Sequence, residues 1–563
     1  MAANQFSGVG DPNGSVFGDP GDIYQDETGG SGSTFWMKES GVGTSTGWVA
    51  AASADSVAVI FDDAVAGTNS NIRSDRAVNQ SPIDNTKVGI TNLGNASAAW
   101  MPSTGVTGDY GTIGGGDDNS AGNWATVAGG AGNTAAGDGS FIGGGHENLI
   151  AGGGDEASAI VGGYANEIQD GLFASFIGAG LFNVISVDAE MAVICGGNGN
   201  GVAGQESAIV GGDGNFIFSE DSFVGGGGDN YLRADSHFSS IVGGGSNEVV
   251  SGGFSFIGGG DGHRVGSQTE AELAFIGGGH VNYIDNGDCS VIVGGQFNEI
   301  GDDAISRFSF IGGGENNDIN GEDSVIVGGT DNVVGAGVVA ANQATIAGGQ
   351  ENLVTADHGS IGGGQLNTVS AAHGTIPGGS ENVVSGSLGY ASGFQCEASA
   401  YGSTASGLRA KASRPTQESF ASGQRNVVGD TQVSWLVLRG AVNAPGTIPL
   451  RYNSDGITEV TTITLEDNRA YTFRVRAICQ GNAFVQTATI VKEFNVKCIA
   501  GVATIVAQAA QVIFGTATAV ANWTIVASAA GADVSVDFST GADAVTPGIV
   551  VTAHVEFVEV GSF

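Results

Sequence analysis

Residues 140–150 read SFIGGGHENLI, and variants of that phrase recur through about half of the 563-residue chain. Glycine pairs turn a backbone sharply because they accept positive φ, and asparagine is the next most tolerant residue there. Each G-G-x-x-N therefore reads as a corner, flanked by short β-branched or aromatic bursts such as SAIVGG, SFIGGG and SVIVGG. Read loosely as [ST]-x-I-x-G-G-x-x-N-x-[IV], the pattern places corner asparagines at Asn119, Asn133, Asn148, Asn166, Asn183, Asn200, Asn215, Asn230 and Asn247. They resume at Asn282, Asn298, Asn317, Asn332, Asn352, Asn367 and Asn382, and between the two runs FIGGGDGHRV puts His263 in the asparagine position. That makes about seventeen coils, spaced about fourteen to twenty residues apart.

A constant kernel at variable spacing marks the kernel as a structural rung and the extra residues as loops on one edge. Helical solenoids need repeats of roughly 33 to 47 residues with a 3.6-residue apolar period, which these bursts lack, so the expected fold is a parallel β-solenoid. Stacking puts equivalent corners about 4.8 Å apart, where each asparagine side chain reaches its counterparts above and below; such ladders stabilise stacked strands. The isoleucine of I-x-G-G and the aliphatic residue two after each asparagine should point inward as a thin apolar spine. That spine alone does not offset the ordering entropy of so many glycines. Three chains side by side would bury one more face of each, so a homotrimer is expected, with a shaft on the order of 80 Å long.

Composition agrees. The chain holds 100 glycines, 9 prolines and 7% aromatics, which excludes a thick core, while its Ile, Val and Phe content and the absence of an every-third-residue glycine period exclude disorder and collagen. A net charge of −40, from 58 acidic against 18 basic residues, repels phosphates and anionic lipids, so no nucleic-acid partner and no membrane insertion are expected. The start, MAANQFSGVGDPNG, has no basic stretch followed by an apolar one, so no secretory signal is read and the chain is expected to fold where it is made. The charge-free stretch Cys498 to Ala532 carries Gln508, Gln511 and Asn522 among alternating apolar residues, which reads as half-buried strands. The five cysteines, Cys195, Cys289, Cys396, Cys479 and Cys498, form no C-x-x-C pair and read as free thiols, with Cys479 and Cys498 the one pair near enough in sequence to meet.

Near the end of the repeats the phrasing changes to YASGFQCEASAYGSTASGLRAKASRPTQESFASGQRNVVG, residues 390–429. Its S-x-A-x-G character, at Ser399 to Gly402 and Ser419 to Gly423, resembles the head repeats of trimeric autotransporter adhesins of the YadA type. That resemblance implies parallel β-rolls packed as trimers, although most of the shaft writes I-G-G-G-x-x-N where that family writes A-x-G-x-x-A. Residues 15–48 resemble a glycine-punctuated module found near the N-termini of tailed-phage fibres and spikes; Asp22-Ile23-Tyr24 and Thr34-Phe35-Trp36-Met37 read as two strands around a GGSGS turn. Trp36 and Trp48 are candidates for an attachment interface, with small-core filling as the alternative. From Ser434 onward, SWLVLRG, LEDNRAYTFRV and HVEFVEV resemble the β-sandwich tip that follows the shaft of many phage fibres, with two strands expected around Asp467 and Asn468.

The expected organisation is an N-terminal virion-attachment module (1–50), a β-rich connector (51–110), a solenoid shaft (111–389), YadA-like repeats and neck (390–433) and a C-terminal antiparallel β-sandwich tip (434–563). The resemblance implies a virion fibre or spike, made in the host cytoplasm, that docks to a tail adaptor, baseplate or other virion protein through its N-terminus. Its trimeric tips would bind a host-surface polysaccharide or receptor by avidity. Alternatives are a capsid-decorating head fibre, a polysaccharide-depolymerising tailspike, and a bacterial surface adhesin, which would need a signal peptide and anchor.

Catalytic, cofactor and metal residues are not expected. The seven histidines form no metal-spaced cluster and read as surface turn positions. The residue after the corner glycines varies too freely for the shared aspartate of a calcium-binding roll. A depolymerase needs two carboxylates roughly 5 to 9 Å apart; Asp302 with Glu322 is one pair that neighbouring coils bring within range, but with 58 acidic residues no pair stands out as a site, and the chain reads as non-enzymatic.

Overall fold

The computed structural model describes residue 107 and residues 110–560, apart from 153–156, 170–172, 267–270, 303–304, 336–339, 424–430, 443–445, 454–458, 467, 481–486, 516–522 and 541–548, together with seven short strands before residue 100. The fold is all-β, with no helix among the described residues, and its main body is a parallel β-solenoid of about twenty turns. The excess over the asparagine count comes partly from turns such as those after residue 390, whose corners lack that residue. The chain divides into two units, Met1–Asp229 and Asn230–Phe563. Coils stack by the same rule within each.

One coil shows the rule. Phe141–Ile142 is a two-residue strand, the corner follows, and Leu149–Ile150 is the second strand. Each pairs in parallel with its equivalent one coil on, Phe141 with Ala159 and Ile142 with Ile160 in the first sheet, Leu149 with Glu167 and Ile150 with Ile168 in the second. Strand side chains alternate between faces, so Ile142, Ile150, Ile160 and Ile168 are fully buried in the axis while their neighbours face outward.

The corner asparagines form the other half of the interior. Nδ2 of Asn148 donates to Oδ1 of Asn133 at 2.9 Å, to the Gly144 carbonyl at 3.1 Å and to the Gly163 carbonyl of the next coil at 3.0 Å. Its Oδ1 accepts from the backbone N–H and Nδ2 of Asn166 at 3.1 and 2.9 Å. The side-chain bonds recur through Asn183 and Asn200 in the first unit and from Asn298 to Asn382 in the second. A buried amide left without partners is costly; here each coil satisfies the next. Glycine is required three residues before the asparagine: Gly145 has φ +100°, and a Cβ there would run into the Gly163 carbonyl and the Asn148 amide.

A second polar ladder runs at the opposite turn, where the [ST] of the repeat lies. Ser309 N–H donates to Ser290 Oγ at 3.0 Å and Ser324 N–H to Ser309 Oγ at 3.3 Å, all three serines being buried.

At the N-terminus, Gln5–Gly8, Ile23–Asp26, Phe35–Lys38 and Trp48–Ala50 form a four-stranded sheet in which the middle two are antiparallel, as the GGSGS turn predicts. Trp36 and Trp48 lie on adjacent strands of it, but their side chains are outside the described residues.

After residue 389 the strands of the first sheet widen to five residues, Tyr390–Phe394, Thr404–Leu408 and Glu418–Ser422, still parallel and in register. The last of them pairs antiparallel with Thr431–Val442, which begins a sandwich. One of its sheets runs Thr431–Val442, Ile549–Val560, Arg469–Gln480 and Thr487–Ile499; the other is built on Asp533–Ser539. Phe473, Phe494, Phe557, Trp523 and Phe538 fill the core between them, the first two stacked at 4.9 Å. The fully satisfied Glu559 carboxylate, held by Arg469 at 2.6 Å and the Tyr471 hydroxyl at 2.9 Å, is buried beside it.

Three sequence readings are corrected here. The strands flanking Asp467 and Asn468 are not partners, since Thr462–Thr464 joins Asp533–Ser539 in the second sheet. Cys479 and Cys498 sit at opposite ends of the ladder between Arg469–Gln480 and Thr487–Ile499, and all five cysteines are free. His263 is no surface residue: it is 1% exposed and stands inside the asparagine column.

Candidate functional site

Because inward residues are nearly invariant, chemistry is confined to the outward ones. From Ser240 to Val327 in the second unit the outward positions of the first sheet are Ser240, Phe256, Phe275, Val291, Phe310 and Val325, one residue before the buried isoleucines, and Val242, Gly258, Gly277, Val293, Gly312 and Val327, one after. None is charged. Phenylalanine before the isoleucine goes with glycine after it: a Cβ at Gly258, Gly277 or Gly312 would run into the next coil's backbone carbonyl and crowd the ring of Phe256, Phe275 or Phe310 at 3.3–3.4 Å. At Ser240, Val291 and Val325 a valine follows the isoleucine instead, and Val242, Val293 and Val327 are about half exposed. The first unit has Phe141, Phe176 and Phe223 against Val161 and Val210, with Cys195 in the valine's place after Ile194.

The second sheet of the second unit presents the opposite character. Its outward column runs Tyr231, Glu248, Arg264, Tyr283, Glu299 and Asp318, each in register with the next. Residues 111–389 contain three basic side chains, Arg233, Arg264 and Arg307, and all fall within this stretch. Arg264 grips Asp285 with Nε and Nη2 at 3.2 and 2.8 Å and lies 4.7 Å from the Tyr283 ring centroid. Arg233 pairs with Glu248 at 2.6 Å and lies over Tyr231 at 5.4 Å; Arg307 pairs with Asp288 at 3.1 Å. Two flat aromatic faces, Tyr231 and Tyr283, three coils apart and edged by charged donors and acceptors, thus lie along one side.

Asp285, Glu299 and Asp302 meet here, with one oxygen of each within 4.8 Å of the others. Burial first, then the negative charges of Asp302, Asp318 and Asp285, push the Glu299 carboxyl up to about 7, against a partial opposing pull from Arg264. A carboxyl that titrates near neutrality is a proton donor suited to general-acid work, and Asp302 beside it is exposed. Such a triad also has the spacing of a cation's ligands, but Arg264 already neutralises Asp285 and we assign it no ion.

The residues singled out by sequence divide cleanly. Asn119 through Asn382 are interior and structural in position, 4% exposed at most. The carboxylates that gather with Asp302 are those of Asp285 and Glu299. The column itself escaped sequence reading because its members are sixteen to nineteen residues apart and share no motif; the clustering of three arginines was the available signal.

No family model matches the chain, and no curated protein does. Among solved structures it is similar to phage tailspike proteins. These include the tailspike of Acinetobacter baumannii phage AM24 (9% identity, TM-score 0.15, covering 83% of this chain and 78% of that one) and that of Acinetobacter phage vB_ApiP_P1 (10%, 0.20, 100% and 99%). A third is tailspike gp49 of Acinetobacter baumannii bacteriophage Fri1, described as a capsular polysaccharide depolymerase (9%, 0.17, 99% and 98%). At these TM-scores no residue or site is carried across. The reading of the chain as non-enzymatic is nevertheless corrected by this finding, because a depolymerase stands among the structures it matches.

Proposed function

We propose that the chain is a tailed-phage virion spike that engages a host-surface polysaccharide along the Tyr231–Asp318 column, and that it works as a homotrimer assembled through the uncharged first-sheet face. The observation that carries the reading is the contrast between those two faces within one repeat. Charge is free to vary at every outward position, yet in a chain of net charge −40 it is absent from the first-sheet positions between Ser240 and Val327 and gathered with tyrosines on the other face. Trimerisation presents three copies of a weak glycan contact at once. Residues 1–50 would supply the virion attachment and residues 434–563 the tip, which remains a second contact surface as the sequence implies.

A specific observation favours cleavage as well as binding: Glu299, with its carboxyl near 7, stands next to Asp302. Glu299 would hand its proton to the glycosidic oxygen as the bond breaks, while Asp302 stabilises the sugar cation or attacks it. Incubating the purified protein with host capsule, and measuring both retained polysaccharide and released oligosaccharide, tests the two parts together. Binding without release supports an adhesive spike; release abolished by Glu299→Gln supports a depolymerase; neither, with a folded trimer, removes this face from host recognition.

A further inference from the structure

Between Asn230 and Asn382 the asparagine column has one foreign member, and it lies in the middle of the candidate site; beyond Asn382 the column ends on Cys396. His263 occupies the corner whose next residue is Arg264, and Asn282, one coil on, precedes Tyr283. A ladder asparagine donates through Nδ2 to two glycine carbonyls and a neighbouring amide, donates its backbone N–H to the Oδ1 before it and accepts the next coil's N–H; His263 keeps the last two. Its backbone N–H donates to Asn247 Oδ1 at 3.1 Å, and its Nδ1 accepts the backbone N–H of Asn282 at 3.0 Å. Nε2 is buried and without a hydrogen-bond partner, alone in this among the described side chains. The ring is therefore neutral, with its proton on Nε2, since Nδ1 must offer a lone pair to Asn282.

We propose that His263 is an acid-labile joint that couples the rungs of the polysaccharide column to pH. The inference concerns regulation of the surface proposed above and rests on that reading for its biological meaning, but the joint itself does not. Protonation places N–H on both ring nitrogens. Nδ1–H then faces the Asn282 N–H, two donors meet where one bond held two coils together, and the backbone carrying Arg264 loses its hold on the backbone carrying Tyr283. In a regular coil nothing comparable happens, because an amide does not titrate.

The charged groups on all three coils around the ring lie on the outside. Glu248 of the coil before is paired with Arg233; on its own coil Asp261 faces His280 of the coil after at 3.3 Å, and Arg264 grips Asp285. Burial, the largest influence, holds its protonation below the ordinary histidine range against the backbone of Asn282 and Gly279, which pull the other way, while His280 and Asp261 act in opposite senses. The sign follows: a histidine harder to protonate folded than unfolded has no effect on stability well above its ordinary value. It costs stability progressively as pH falls below that value, until the folded form also takes the proton.

The test is hydrogen exchange by mass spectrometry on the intact protein at pH 7.5 and 5.5, corrected for intrinsic rates, beside His263→Asn, which restores the repeat. The wild type should lose protection on the order of tenfold over Asn282–Asp285 at the lower pH, while the variant and the coils at Asn332–Asn367 do not. Equal change in wild type and variant, or no change in either, overturns the joint. Polysaccharide retention at the two pH values forms a separate arm. Loss of protection without loss of retention leaves the joint standing and removes this column from glycan binding. Loss of both in the wild type alone supports the coupling.

Discussion

The two outward faces of the second unit share one backbone and differ in everything else. Both are parallel ladders of two-residue strands over fully buried aliphatic residues, and both repeat at about 4.8 Å. One presents Phe256, Phe275, Val293 and Val327; the other Tyr231, Arg264, Tyr283 and Glu299. Since the interior asks the same of both, the difference reports what lies outside each. A repeat built this way separates stability from recognition: inward residues and the asparagine and serine ladders hold the coil, and outward columns are free to be written for a partner.

The contrast is most strongly broken by putting charge on the apolar face. Val293→Glu with Val327→Glu should drop the native mass from trimer to monomer by light scattering while leaving the β-rich circular dichroism intact, because both side chains point to solvent in the single chain. Next in size, Arg264→Ala leaves Asp285, 5% exposed at its side chain, without its partner. It should cost about 1–2 kcal/mol in urea unfolding, discounted for the partial exposure of Arg264, and weaken polysaccharide retention at least about tenfold.

Glu299→Gln sharpens the comparison through pH. The folded-state value of about 7 lies above the ordinary carboxylate value, so the native state binds a proton that the unfolded chain does not. Wild-type stability should therefore fall as pH rises through 7, and the variant should lose that dependence, with melting temperatures differing by about 2–4 °C at pH 8. His263 has the opposite sign, so the two effects separate on a pH scan. The smallest effect is expected from Thr368→Glu, which lies on the second sheet beyond the column: within about 0.5 kcal/mol of wild type, with retention unchanged.

Much of the interior was legible in the sequence. The G-G-x-x-N spacing dictates a corner, and Ile142 and Ile150 follow inward from the alternation of strand residues. The serine ladder was written in the same repeat, at its [ST] position, but a hydroxyl's partner is set by the next coil and only stacking reveals it. The partners of Thr462–Thr464 were not legible either, because antiparallel sandwiches join strands distant in sequence. The acid cluster was least visible of all. Asp285, Glu299 and Asp302 come together because Asp285, directly after the strand Tyr283–Ile284, lies against the next coil, which carries the other two, and composition offered 58 acidic residues with no means of ranking them.

The central claim is that the first-sheet face is covered by copies of the same chain while the second-sheet face stays open, and a native side chain reports on it. Cys195 follows the buried Ile194 on the first-sheet face of the first unit and is exposed in the single chain. Alkylation of the intact protein, read peptide by peptide, should leave Cys195 protected until the assembly is dissociated, whereas a cysteine introduced by Asp318→Cys on the other face should react at the rate of a free thiol. Cys195 reacting as fast as the introduced cysteine in the undissociated protein would contradict the account.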